Sequence, residues 1–349
     1  MTSKSSLHAD FSRLNNRRIL VLICLFVALL ISLWLDLLAG PAGLTAQQVF
    51  EGLIDPSSLN LRHSIILWDV RIPDALIAVV VGAALGLSGI EMQTILDNPI
   101  ASPFTLGISS AAILGASIAI ILSPVIPFLP SQALTPVLAL VGACASAALV
   151  LFVVRISSGN RETVILFGVA LVFLCEAISF GFYLIADAEA LYQIAFWAMG
   201  SLTKAGWIEV AIVSAVFCLV FPFSLRQVWL LTLIRGSEEH ARSTGVNVAK
   251  LRIWVIARSS LLAAFAVCFV GTISFIGLVG PHIARLLLGE DHRMLLPGSA
   301  LCGALILSIA SFLSKILLPG TVVPVGVLTA IIGVPLFLSL LLQNHRRTR

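Results

Sequence analysis

Apolar runs about twenty residues long, separated by short polar connections, fill most of this 349-residue chain, and they confine it to folds that cross a membrane. A helix needs roughly twenty apolar residues to span a hydrocarbon core about 30 Å thick. Within that core the backbone must satisfy its own N–H and C=O groups, so only helices and closed barrels can cross it. Runs of this length read as helices. The spans are 19–38, 75–95, 104–122, 133–154, 163–185, 207–224, 253–274, a short one ending near Leu288, 295–317 and 323–342, which makes an all-α polytopic membrane protein of about ten transmembrane helices.

Composition agrees, with 59% hydrophobic and 11% charged residues, against about a quarter charged in soluble domains. The cysteines Cys24, Cys144, Cys175, Cys218, Cys268 and Cys302 all sit in apolar runs with no C-x-x-C pair, and read as small buried hydrophobes, not metal ligands or disulfides. A net charge of +4 raises the question of nucleic acid, but the basic residues are dispersed among apolar segments. They form no patch interleaved with aromatics, so no nucleic-acid partner is expected.

The basic residues report topology instead. Lys4, Arg13, Arg17 and Arg18 precede a first run too long for a signal-peptide core, and Gly40-Pro41 follows it without a small-x-small cleavage site. Residues 1–18 thus read as a cytoplasmic N-terminus, 19–345 as the membrane domain and 346–349 as a cytoplasmic tail. Alternation from that start puts Arg155, Arg161, Arg226, Arg235, Arg242, Lys250, Arg252, Arg285 and Arg293 inside, and Arg62, Arg71, Lys204 and Lys315 at the outer face. That is the positive-inside pattern, with both termini cytoplasmic.

Residues 253–288 are too long for one crossing and too short for two at 1.5 Å per residue. Gly277, Gly280 and Pro281 allow a turn, with Pro281 at a first helical position where its missing N–H costs nothing. A short return helix then runs to Arg285. His282 has no second histidine at i+4, so it reads as a hydrogen-bonding residue at the break and no metal site is expected.

The segment VGTISFIGLVGPHIARLLLGEDHRMLLPGSALCGALIL, with PVGVLTAIIGVPLFLSLLL after it, resembles the C-terminal half of the FecCD-type permeases of iron-siderophore, haem and cobalamin ABC importers. RIPDALIAVVVGAALGLSG, MQTILDNPIASPFTLGISSAAILGA and FWAMGSL resemble the same family in the same order, so the resemblance runs from Arg71 to Leu342. It implies two inverted five-helix halves, a second permease subunit, two cytoplasmic ATPase subunits and a periplasmic or lipid-anchored binding protein in the cytoplasmic (inner) membrane of a bacterium. The cargo expected first is a ferric siderophore, with haem or cobalamin as alternatives. The chain has no G-x-x-x-x-G-K-[ST] loop, so it carries no cofactor of its own and ATP and Mg belong to the partner ATPase. It is not expected to be an enzyme.

Carried over residue by residue, RGSEEHARSTGVNVAKLR (235–252) resembles the family's coupling segment, with Gly236, Glu238, Ala241, Arg242 and Gly245 as coupling residues. It departs at Ser237, where a glycine is expected, and at Thr244, where leucine is usual. The turn DNPIASP (97–103) resembles the family's cytoplasmic gate turn, with Asn98, Pro99 and Ile100 as gate residues and Asn160, Arg161 and Glu162 in the second gate loop. Arg71, Asp74 and Lys315 occupy the positions of arginines that dock the binding protein, although only Arg71 keeps the family residue. Gln93 and Glu176 are pathway candidates, and both Glu91 and Gln93 are expected to reach the inner interface. A carboxylate as deep as Glu176 costs about 2.5–3.5 kcal/mol on insertion scales and needs a partner or water. A gradient-driven secondary transporter is the competing class, and it leaves the 235–252 segment unexplained.

Overall fold

Helices fill the apolar runs, and several of the polar connections supply the cap that starts the next helix. The computed structural model describes residues 4–40, 43–123, 131–157, 159–318 and 320–347. In order these are α1 (Lys4–Leu38), α2 (Ala46–Ile54), α3 (Leu61–Ile65) running through a π-helical turn (Ile66–Arg71) into α4 (Ile72–Ile95), α5 (Ile108–Leu122), α6 (Ser131–Ile156), α7 (Arg161–Tyr183) and α8 (Ala188–Ala198). Then come α9 (Trp207–Arg226), α10 (Val228–Gly236), α11 (Glu238–Ser243), α12 (Val248–Val270), α13 (Ile276–Leu288), α14 (His292–Ile316) and α15 (Val325–Arg347). Asn160, Ser237, Asn247 and Asp291 cap α7, α11, α12 and α14 with side-chain oxygens that accept backbone N–H bonds, as residues of this type do at helix starts.

Among the described residues seven helices are long and apolar enough to cross a membrane and three apolar ones are shorter, ten in all. The sequence anticipates one short helix, the eighth, but the third is short too. α5 has 15 residues and α13 has 13, and both follow a residue in the left-handed region, Gly107 (φ 81°) and Phe275 (φ 66°). Their packing matches as well. α5 lies on α6 as α13 lies on α14, and α4 lies on α14 as α12 lies on α6. With α4 also packed on α12, the second to fifth crossings relate to the seventh to tenth as two halves. The first helix of each half breaks the relation, since α1 packs mainly on α14 and α9 on α4 and α12.

Small residues bring the central helices together. A Cβ on Gly82 would sit 2.4 Å from the Gly303 carbonyl oxygen, and one on Gly303 would sit 2.2 Å from that of Gly82. Small residues at a four-residue interval let membrane helices approach at backbone distance, and Gly82 and Gly86 supply that interval on α4. α4 is the axis of the chain, with 83% of its apolar window buried, against 28% for α7 and 17% for α1. The exposed faces of α1 and α7 must therefore meet lipid or another chain.

The return helix begins earlier than the sequence suggests. The break lies at Gly271–Phe275, where Gly271 has φ 74° and the Thr272 hydroxyl donates to the Ala198 carbonyl, so Gly280 and Pro281 fall inside α13. Gly280 packs on Gly303. A proline cannot donate to the carbonyl four residues before it, and here the carbonyl left without that donor is Gly277. The Gln93 side-chain amide supplies the bond at 3.3 Å, while its oxygen accepts from Arg285 at 3.3 Å. Gln93, Pro281 and Arg285 are thus one local solution to a helix break in α13.

Candidate inner gate and coupling segment

One end of the bundle, the inner one by the charge pattern of the sequence, gathers the polar connections between α4 and α5, α6 and α7, α9 and α12, and α13 and α14. Helix α10 ends at Gly236, Ser237 turns the chain, and α11 begins with its hydroxyl accepting from the His240 N–H. Gly245 takes φ 87° and lets Val246 N donate back to the Ala241 carbonyl, a close of the glycine-capped kind. Gly236 and Gly245 are exposed, with open space where a Cβ would stand. Ala241 is fully buried. It packs inward, against the bundle.

Glu238 is the anchor of this segment. Its carboxylate accepts from Arg161 Nε at 2.9 Å, Arg242 Nη2 at 2.6 Å and Arg252 Nη2 at 2.9 Å, and also pairs with Arg161 Nη2. Partial burial pushes its pKa up, but hydrogen bonds from Arg161 and Arg242 and the charge of Arg252 outweigh that and hold it down at about 2. Arg252 is itself buried, donating to the Ile95 carbonyl at 3.2 Å and to that of Gly159. The α11 helix is thereby tied to the end of α4 and to the loop before α7.

The two gate loops meet here. Asn98 stabilises its own turn, its side-chain oxygen accepting from the Ile100 N–H at 3.0 Å. Pro99 and Ile100 project into solvent, as do Asn160 and Glu162. Asn160 caps α7, and Arg161 joins the loops by donating to Asp97 Oδ2 at 2.7 Å as well as to Glu238. Arg235 and Glu290 were given no site role from the sequence, and Asp97 was read only as the first residue of the gate turn, with no role of its own. Arg258 was missed as well, yet it lies inside an apolar run, where a charge must find a partner. It pairs with the fully buried Glu91 at 2.6 Å and donates to Gln227 at 2.6 Å. Glu91 and Gln93, expected at the interface, are both buried.

Two further expectations change. His282 is half-buried and makes no hydrogen bond among the described residues, so it does not satisfy the break. Arg71, Asp74 and Lys315, read as surface docking groups, are all buried. Arg71 donates to the Leu37 and Leu38 carbonyls at 2.8 and 3.3 Å, closing the end of α1, and Lys315 pairs with Asp36 at 2.9 Å. Side chains spent inside the chain cannot receive a carboxylate from a docked protein. Glu176 is exposed on the outward face of α7 among Phe173, Leu174, Ile178 and Phe180, with no ion pair among the described residues.

The profile of the FecCD transport family matches residues 25–343, nearly the whole of the helical bundle. The chain belongs to the FecCD transport family. The hemin transport permease HmuU of Yersinia pestis is 35% identical over 93% of this chain and 97% of its own length. The vitamin B12 import permease BtuC of Vibrio vulnificus is 36% identical over 85% of this chain and 89% of its own. The Fe(3+) dicitrate transport permease FecD of Escherichia coli is 37% identical over 81% and 86%. An inward-facing ABC transporter structure described as of metal-chelate type superposes with a TM-score of 0.81 at 31% identity, covering 93% of this chain and 99% of that one. PsaBC from Streptococcus pneumoniae, at 14% identity and a TM-score of 0.57, shares the fold. This chain is a multi-pass membrane permease of the ABC importer class.

Proposed function

We propose that this chain is the translocating subunit of an importer for a ferric siderophore, working in the cytoplasmic membrane beside a second permease and two ATPase subunits. The observation that carries the reading is α11, a short helix at the inner end of the bundle. Its Glu238 side is held by Arg161 and Arg252 from α7 and α12, while Glu239, His240 and Arg242 stay exposed. A helix fixed on one side and open on the other suits a partner that pushes on it. Haem, cobalamin and ferric citrate, in the names of relatives, are all metal chelates, and ferric iron would pass as a chelate rather than as an ion bound by these side chains. A binding protein would deliver it at the opposite end. The unpartnered face of α7, with Glu176 on it, fits the side turned to the second permease and the pathway between them.

Mass spectrometry of the chains that co-purify with the tagged protein in mild detergent tests the assembly. An ATPase subunit in the complex is expected, and the presence or absence of a different permease separates hetero- from homodimer. A stable preparation free of ATPase would overturn the reading in favour of a gradient-driven carrier. Proteoliposomes containing the complex, offered a radiolabelled ferric siderophore, haem or cobalamin with its binding protein, then decide the cargo.

A further inference from the structure

Asp97 stands at the close of α4 with φ 46°, one of two positive-φ residues other than glycine among the described residues. Aspartate, asparagine and glycine all tolerate this conformation, so the turn alone does not call for a carboxylate. What the carboxylate does is divide itself. One oxygen accepts from Arg161 at 2.7 Å and the other from Arg235 at 2.6 Å, so it bridges two elements instead of clamping one guanidinium with both oxygens. Each arginine continues to another element. Arg161 reaches Glu238 on α11, and Arg235 reaches Glu290 between α13 and α14 at 3.5 Å. Glu290 pairs with Arg285 at 3.2 Å, and Arg285 donates to Gln93, whose amide holds the Gly277 carbonyl in α13.

We propose that Asp97 is the positioning residue that makes the gate turn follow the coupling segment, because it closes a polar circuit through Glu238, Arg161, Asp97, Arg235, Glu290, Arg285 and Gln93. This rests on the reading of 235–252 as coupling segment and 97–103 as gate turn. The circuit meets four connections at the inner end and the start of the return helix. Its members differ in exposure. The side chains of Asp97, Arg235 and Glu290 are 45%, 34% and 47% exposed, against 18% for Glu238 and 1% for Arg252. Half-exposed pairs exchange readily with water and screen with salt, while Glu238 stays fixed to α12 through buried Arg252. The joint that can open is therefore the one at Asp97. With it closed, the gate turn has fixed positions relative to both α10 and α11; with it open, the turn is held by its connection from α4 and by its buried end at Ala101–Pro103 before α5, and no longer by α10 or α11.

The test uses the chain purified with the subunits it carries, with the exposed native cysteines replaced and spin labels placed at Ile100→Cys in the turn and Glu239→Cys on α11. Electron–electron distances are measured without nucleotide and with ATP and vanadate trapped. One narrow distribution is expected in each state. Asp97→Asn keeps the left-handed turn but loses the charge and with it both ion pairs, and it is expected to add a second, broad population; Arg235→Gln is expected to do the same and Arg235→Lys to restore the narrow peak. A distribution that stays narrow in Asp97→Asn or in Arg235→Gln overturns the proposal. If no ATPase co-purifies, the functional reading fails by itself, and the nucleotide-free distances still decide whether Asp97 holds the turn.

Discussion

The two ends of this molecule hold their charges in opposite ways. At one end Asp36, Asp74, Arg71 and Lys315 are sealed between α1, α4 and α14, none more than 7% exposed. At the other, Asp97, Arg161 and Arg235 form ion pairs with between 27% and 45% of each side chain in contact with solvent. Removing one partner of a buried pair strands a charge where it cannot be solvated, while a surface pair can open into water at little cost. The sealed end is built to stay shut. The inner end is built from contacts that can be exchanged.

The comparison breaks or holds on three measurements. Lys315→Ala leaves Asp36 buried without its counter-charge, and it should destabilise the chain by about 3–5 kcal/mol, read as a lower midpoint of thermal unfolding in detergent. A wild-type midpoint would mean that the sealed cluster is not structural. Next in size is the response to acid at the inner end. The pKa of Glu238 is depressed from 4.5 to about 2, so its contribution to holding α11 is complete above pH 4.5 and is lost as pH falls through about 2. Hydrogen exchange of the α11 amides, corrected for its intrinsic pH dependence, should stay slow down to that window and quicken within it. Exchange that quickens already between pH 7 and 5 would remove Glu238 from its role as anchor. Smallest is Arg242→Ala, which removes a mostly exposed arginine from a pair one helical turn apart and should cost only about 0.3–0.5 kcal/mol. A loss as large as that of Lys315→Ala would erase the distinction between the two ends.

The crossings were legible because their signal is length and hydropathy, which need no knowledge of neighbours. The ten spans read from the sequence correspond to the ten apolar helices, and the gate and coupling loops adjoin one another. The fate of individual charges was less legible. Arg71 and Lys315 lie beside span ends, where a sequence places side chains in water, yet the end of α1 takes both up, Arg71 through the Leu37 and Leu38 carbonyls and Lys315 through Asp36. Gly280-Pro281 looked like the start of a helix since proline favours that position. The actual break lies at Gly271–Phe275, because Gln93, from a helix almost two hundred residues away in sequence, supplies the bond that Pro281 cannot.

The sequence by itself determined that the chain crosses a membrane about ten times and which connections are polar, and its motifs pointed to the family; these depend on local composition and spacing. Only the tertiary structure decided which charges face water and which face each other, because pairing depends on distances between helices that sequence order does not contain. Asp97, Arg161, Arg235 and Glu238 come from three separate stretches of chain, and they form a single site because α4, α7 and α10–α11 end at the same face of the bundle.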